Sequence, residues 1–466
     1  MSLRPQARGC QVYIKEIKLQ SVRGFHDARD VSLDLTRPDG TLAGWTVLAG
    51  RNGSGKTSLL RAVALAIGGP GVARNLVTDF ASWVSVGKPQ AIAAVQLTNE
   101  PDVDSFGAKG RPPGAPFWAG LSWKVSEEDL FRVRDRQPSI GEPELGPHGM
   151  TAARRGPWSD NPAGWFCAAY GPFRRLAGGS GNAQRLMLSR GPAARMASLF
   201  EEEASLAEGV SWLIEQHLRS LENRAGATEL KEAALAVLGD GLLPDGYQIQ
   251  EVNSDGLWVQ RGSHRFPLRE MSDGYRTVAA LVVDLLKQVH EAYGSLEVTD
   301  IGGLTAVLAP GVVIIDEVDA HLHVSWQKRI GGWLKQHFPR TQFIVTTHSP
   351  YICQSADENG LIRLPGPDES SPPQIVDQDL YERIVYGSGD DAVMSELFGL
   401  DTPYSEQAVK LRRELVDLET TVITGEADEP SVQRYLQLRE LLTSSPTARV
   451  GEIAARLVSD AEQLRP

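Results

Sequence analysis

Apolar positions in this chain follow two spacings. In QVYIKEIKLQSVRGFHDARDVSLDL they recur at every second residue, which predicts two half-buried strands around a turn near Arg23 to Asp30. The unbroken apolar runs GWTVLAG, GVVIIDEV and TQFIVTTH predict strands buried on both faces, and AIAAVQLT (91–98) and FWAGLSWKV are further strand candidates. Helical spacing appears in TSLLRAVALAIGG, in HVSWQKRIGGWLKQHF, and in MSDGYRTVAALVVDLL (271–286). In the last, Val278, Leu281, Val282 and Leu285 form the apolar stripe and Ser272 or Asp273 is placed as N-cap. Residues 196–238 predict two or three helices broken at Gly209 and Gly226, too short for a coiled-coil array. YQIQEVNSDGLWVQRGSHRFPL reads as a small hairpin, and two helices are expected near 405–419 and 430–443.

The alternation of strands and helices predicts an α/β body. At 466 residues the chain is long for one core, so attached pieces are expected. The expected division is 1–98 and 265–365 as two halves of that body, with 99–264 as a loop-rich and helical insert and 366–466 as a helical tail. A formal net charge of -12 argues against indiscriminate binding to DNA or to anionic membrane. Locally the balance reverses, because residues 148–198 hold seven arginines (154, 155, 174, 175, 185, 190 and 195) against the single acid Asp160. That stretch is either a solvated loop face or a surface for a polyanion or partner. Cys10, Cys167 and Cys353 are too far apart for a disulfide framework or a zinc site, and no apolar run reaches membrane-spanning length. A cytoplasmic location is expected.

GRNGSGKT, Gly50 to Thr57, matches G-x-x-x-x-G-K-[ST] between an apolar strand and a helix. Average residue usage gives the bare pattern to roughly one or two chains of this length in a hundred, and the flanking elements lower that further. In this loop Gly50, Arg51, Asn52, Gly53, Ser54 and Gly55 turn backbone amides toward a phosphate, and the helix beginning with Lys56, Thr57 and Ser58 points its positive end at the same anion. Lys56 is expected to reach the β and γ phosphates of ATP, and the Thr57 hydroxyl to bind Mg2+. At the end of VVIIDEVDAHLH, Asp316 is expected in the Mg2+ shell and Glu317 beside the attacking water. About thirty residues on, His348 ends another apolar strand and is a candidate γ-phosphate sensor.

In this order the motifs resemble those of ABC-type ATPase heads of the RecF, SMC and Rad50 group, over roughly residues 12–98 and 265–352. The resemblance implies a P-loop NTPase with a mixed sheet and flanking helices. It makes MSDGYR the signature turn, with Ser272 and Gly274 at the positions that meet phosphate in a second copy. Met271, Asp273 and Tyr275 depart from the common signature, and in DEVDAHLH His323 fills the usual D-loop aspartate position, with Val324 in place of a proline. Gln96 and Asn99 are both candidates for the Q-loop. AAYGPFRRLAG resembles a Tyr-Gly-Pro-x-Arg segment of arm-less relatives, with no chemical role beyond its charge. The layout also resembles the ATPase subunits of Septu and retron-type anti-phage systems. That implies a homodimer or higher oligomer through composite ATP sites and a separate effector such as an HNH nuclease. Nucleic acid would be met through the effector or the basic 148–198 region. The alternatives are a RecF-like DNA-clamping ATPase and a nucleotide-sensing switch with little turnover.

Overall fold

The unbroken apolar runs become the centre of a parallel sheet. In the computed structural model, which describes residues 13–107, 111–132, 136–160, 162–174, 185–187, 189 and 191–442, two main sheets form. The first holds β1 (Ile14–Gln20), β2 (Val31–Asp34), β4 (Gln90–Leu97), β5 (Phe117–Lys124) and β6 (Ser139–Gly141) in the antiparallel order β2-β1-β4-β5-β6. The second holds β3 (Trp45–Ala49), β7 (Cys167–Tyr170), β13 (Gly311–Ile315), β14 (Thr341–Thr347), β15 (Leu361–Arg363) and β16 (Gln374–Ile375). Its order is β16-β15-β3-β14-β13-β7, and every pair except β15-β16 is parallel. All residues of β3, β7, β13 and β14 are buried, as continuous apolar strands covered on both faces must be.

Gln342, fully buried on β14, joins the two sheets. Its side chain accepts from the Ile14 N–H at 2.9 Å and donates to the Ile14 and Ala43 carbonyls. The helix Lys56–Leu76 packs against strands of both sheets. It is kinked where the apolar pattern stops, at Gly69, whose φ of 77° suits glycine. Trp158 lies against that glycine and donates its indole N–H to the Ala66 carbonyl at 3.1 Å, and Pro70 starts the second stretch.

Residues 99–264 contribute to both sheets through β5, β6 and β7, so the core draws on the segment expected to be an insert. Three helices, Pro192–Phe200, Ala207–Leu221 and Ala227–Gly239, occupy the 196–238 region. Gly226 does stand between two of them, as the N-cap of Ala227–Gly239 at φ 77°, but Gly209 does not. It lies inside its helix, where an added Cβ would stand 3.0 Å from the backbone of Asp284 on the helix Asp273–Tyr293. This glycine lets two helices cross closely. The expected hairpin is a three-stranded antiparallel unit of β8 (Gln248–Asn253), β9 (Gly256–Arg261) and β10 (His264–Pro267). A separate ribbon pairs β11 (Val298–Ile301) with β12 (Leu304–Val307). The helix expected between β13 and β14 is two pieces, Val324–Gln327 and Ile330–His337, because the Arg329 N–H closes a tight turn onto Trp326.

The chain divides after Gly399. In the second unit the helices Glu406–Thr424 and Glu429–Leu441 are capped by Ser405 and Asp428, and a two-pronged Arg434–Glu414 contact joins them. Among the described residues no helix is long and apolar enough to cross a membrane.

Asp104 is buried between the two sheets' loops and accepts from the Tyr13 hydroxyl at 3.0 Å and the Glu100 and Trp165 N–H groups at 2.6 and 2.9 Å. Burial outweighs these donors and pushes its pKa up to about 6. From ~4 to 6, therefore, the folded chain keeps a proton that the unfolded chain has released, and this group's contribution to stability falls as pH rises through that window. Above it the penalty is constant. Asp104→Asn should remove that slope, read as a wild-type minus variant difference in denaturation midpoint that changes between about pH 4 and 6 and is flat above about 7.

Candidate active site

Parallel pairing brings four strand ends to one edge. Ile315 on β13 faces Tyr170 on β7 and Val345 on β14, and Thr347 on β14 faces Ala49 on β3. The loop after β3 is Gly50 to Gly55, the turn after β13 begins with Asp316, and His348 follows β14. Chain order therefore converges on the carboxyl edge, where open α/β sheets bind ligands.

In the phosphate loop Gly53 and Gly55 have φ of 79° and 96°, and a Cβ on Gly55 would meet the Phe25 ring at 2.6 Å. Only glycine allows that turn to be so tight. Lys56 is buried and donates to its own loop at the Gly50 and Arg51 carbonyls, 2.8 and 3.1 Å away. Burial lowers its pKa, opposed by Asp316, Glu317 and Asp319. Ser54 Oγ is buried with no partner among the described residues. Arg51 and Asn52 are exposed, and Arg51 donates to the Phe398 and Gly399 carbonyls at 3.2 and 2.5 Å. Ser58 accepts from Arg23 at 3.2 Å.

The Thr57 hydroxyl donates to Asp316 at 2.7 Å, and the other Asp316 oxygen accepts from Thr346 at 2.5 Å. A hydroxyl and a carboxylate are hard oxygen ligands, the kind that Mg2+ takes in small number beside phosphate oxygens, so these two residues fit that ion. Glu317 has a φ of 46°, uncommon for a residue with a side chain, and its N–H donates to Thr346 Oγ1 at 2.7 Å. Asp319 was not anticipated from the sequence. It accepts from the Thr347 hydroxyl at 2.5 Å and from the His348 N–H at 3.4 Å, tying the acidic turn to the histidine. Desolvation, then Lys56, lowers the His348 pKa against the pull of Asp319, Glu317 and Asp316.

Ser272 is the N-cap of the helix Asp273–Tyr293 by backbone conformation, but its hydroxyl makes no capping bond. It is exposed. Gly274 sits against the acidic turn of its own chain, where an added Cβ would stand 2.3 Å from the His321 carbonyl oxygen. Its lack of a side chain thus has a reason within one copy. His323 caps the short helix Val324–Gln327. Gln96 lies on β4 opposite Glu16 and Trp118, in the antiparallel sheet.

The basic stretch is not one surface. Arg174 and Arg195 are buried, Arg195 over the Phe166 ring, and Arg154 forks onto Glu142. Arg175, Arg190 and Cys10 lie outside the described residues, while Cys167 and Cys353 are free and buried. Arg174 belongs to the site: its Nη2 donates to the Glu317 carbonyl at 2.7 Å, and burial lowers its pKa to about 10, opposed by Asp319, Asp316 and Glu317. Only its place four residues beyond a buried strand end could have signalled this.

A glycine-rich loop, an Asp-Glu pair and a histidine on adjacent parallel strand ends define a P-loop ATPase fold of ABC type. The relatives agree with that class. The family described as "AAA domain" matches residues 16–101, and the one described as "AAA domain, putative AbiEii toxin, Type IV TA system" matches 233–354. The chain is similar to the Septu protein PtuA of Bacillus mycoides (strain KBAB4), 25% identical over 343 residues that cover 73% of this chain and 39% of that protein. It is also similar to the "Retron Vc95 probable ATPase" of Vibrio cholerae serotype O1 biovar El Tor, 40% identical over 96 residues, 21% of this chain and 17% of that one. The chain thus spans well under two thirds of the length of these relatives. An SMC head solved with the C-winged helix domain of ScpA aligns with a TM-score of 0.45 at 16% identity, covering 78% of this chain and 97% of that one.

Two substitutions separate capping from packing at the signature turn. Ser272→Ala should leave the melting temperature unchanged, since no capping bond is lost, whereas a working cap would cost about 1 kcal/mol. Gly274→Ala should lower it, because the methyl group and the His321 carbonyl cannot share the space. Thermal denaturation of both variants reads the difference.

Proposed function

We propose that this chain binds and hydrolyses ATP as one member of a nucleotide-joined pair, and that closure of the pair controls a separate effector of the nuclease class in bacterial anti-phage defence. The observation that carries the ATP reading is the Thr57–Asp316 hydrogen bond, which sets the first helix of the phosphate loop against the acidic strand end. Similarity to Septu and retron ATPases supports the defence setting.

In the proposed reaction the loop amides and Lys56 take the β and γ phosphates, Lys56 exchanging its two carbonyl partners for phosphate oxygens. Mg2+, when bound by Thr57 and Asp316, supplies charge neutralisation on the phosphate oxygens. Water adds in line to the γ-phosphorus, Glu317 accepts its proton, and the bond to the ADP oxygen breaks. His348 offers its ring to the transferring phosphate. Ser272 of the partner subunit closes the far side, for which an exposed hydroxyl with no capping bond in its own chain is available. The burial of Arg174 and the pairing of Arg154 weigh against the basic stretch as a direct DNA clamp.

Glu317→Gln should lower turnover by about a hundredfold or more while ATP-joined dimers accumulate on size exclusion. Ser272→Arg should keep ATP binding and lose both dimer and turnover. Undiminished turnover in Glu317→Gln would sink the hydrolytic reading, and equal activity per chain at high dilution would sink the composite site.

A further inference from the structure

The proposed reaction leaves one charged group at the site unused. Arg174 is 4% exposed, and among the described residues only its Nη2 has a partner, the Glu317 carbonyl oxygen. Nε and Nη1 are buried with no hydrogen-bond partner among the described residues. Buried donors are usually satisfied, so two unmet on one guanidinium at this edge leave places for an acceptor that is not among the described residues.

The segment bearing it is firmly built. Tyr170 accepts the Asp316 N–H at 2.8 Å and donates its hydroxyl to Asp284, on the signature helix, at 2.9 Å. Gly171 lies so close to the Ser198 carbonyl that an added Cβ would stand 2.3 Å from its oxygen. The Arg174 N–H then donates to the Pro172 carbonyl at 3.1 Å. Strand β7 thus delivers a guanidinium to the carboxyl edge, as β3 delivers the phosphate loop.

The chemistry of the edge selects the acceptor. Arg174 holds the Glu317 carbonyl, and Lys56 immediately precedes Thr57, which holds Asp316, so both cations border one acidic turn. Asp316 and Asp319 are already engaged by threonine hydroxyls. An incoming group must therefore be anionic and present at least two acceptor oxygens, which a terminal phosphate does.

We propose that Arg174 reads the terminal phosphate of ATP: Nε and Nη1 engage γ-phosphate oxygens while Nη2 holds the Glu317 main chain in its left-handed turn. This rests on the phosphate loop being an ATP site. Arg174 thereby couples occupancy of the γ position to the orientation of the residue that takes the water proton. When phosphate leaves, the guanidinium is again buried with unmet donors, which favours reopening.

The test compares Arg174→Met, Arg174→Lys and Lys56→Ala in the full chain. Calorimetry gives affinities for ADP and for a non-hydrolysable ATP analogue, and thermal melting is read with and without each. Without nucleotide, Arg174→Met should melt below the wild type, since the Glu317 carbonyl loses its donor and the acidic turn loses a buried positive charge. Its ADP affinity should stay within about twofold, and its affinity for the ATP analogue should fall about tenfold or more. Arg174→Lys, which keeps the charge but lacks the fork, should fall between. Equal losses for ADP and the ATP analogue, or no loss for either, would overturn the proposal, and Arg174→Lys decides by the same ratio if Arg174→Met does not fold. A wild type that binds no ATP, or full ATP affinity in Lys56→Ala, would overturn the ATP site itself. Expected behaviour of those two with unchanged Arg174 variants would overturn the Arg174 role alone.

Discussion

The Asp316 carboxylate accepts from Thr57 with one oxygen and from Thr346 with the other, while its own N–H donates to Tyr170. One 1%-exposed residue thus links the helix after β3 to the ends of β13, β14 and β7. A buried hydroxyl and a half-buried one share a buried charge; a hydroxyl left unmet would cost about 1–3 kcal/mol, and the charge more. The arrangement therefore holds only while all four strands keep their register. The position of every other group at the edge follows from that register.

Two polar side chains elsewhere in the core are held entirely by the chain. Gln342 and Asp104 are surrounded by donors and acceptors from the chain itself. At the carboxyl edge Ser54 Oγ and two Arg174 nitrogens have no partner among the described residues, and Glu317 is held at a φ of 46°. Unmet donors and strained backbone collecting beside a glycine-rich loop are what a site awaiting an anion requires. The core supplies the rigidity that keeps these groups in place.

Much of the site could be read from the chain because its signals are local. Gly50 to Thr57 encodes a turn that only glycine can make, followed by a helix N-terminus. Asp316, Glu317 and His348 each end an apolar run, so the periodicity that predicts a strand also predicts where its last polar residue emerges. Arg174 lacked such a signal, since its apolar run is short and lies in a stretch whose seven arginines look like one basic surface. Gly209 was misread for a related reason: a glycine that breaks a helix and one that lets helices cross look alike until the partner helix is known. The break at Arg329 within an apparently continuous helical pattern is likewise a backbone matter that side-chain spacing does not record.

By itself the sequence determined the strand and helix types, the phosphate loop and the residues at the buried strand ends, because turn chemistry and apolar periodicity act between near neighbours. Only the tertiary structure decided that β7 lies beside β13, that Arg174 is buried against Glu317, that Gly274 makes room for His321, and that the Ser272 hydroxyl caps nothing. Those outcomes depend on which strands pair and how closely backbones approach, distances set by packing between residues up to hundreds of positions apart.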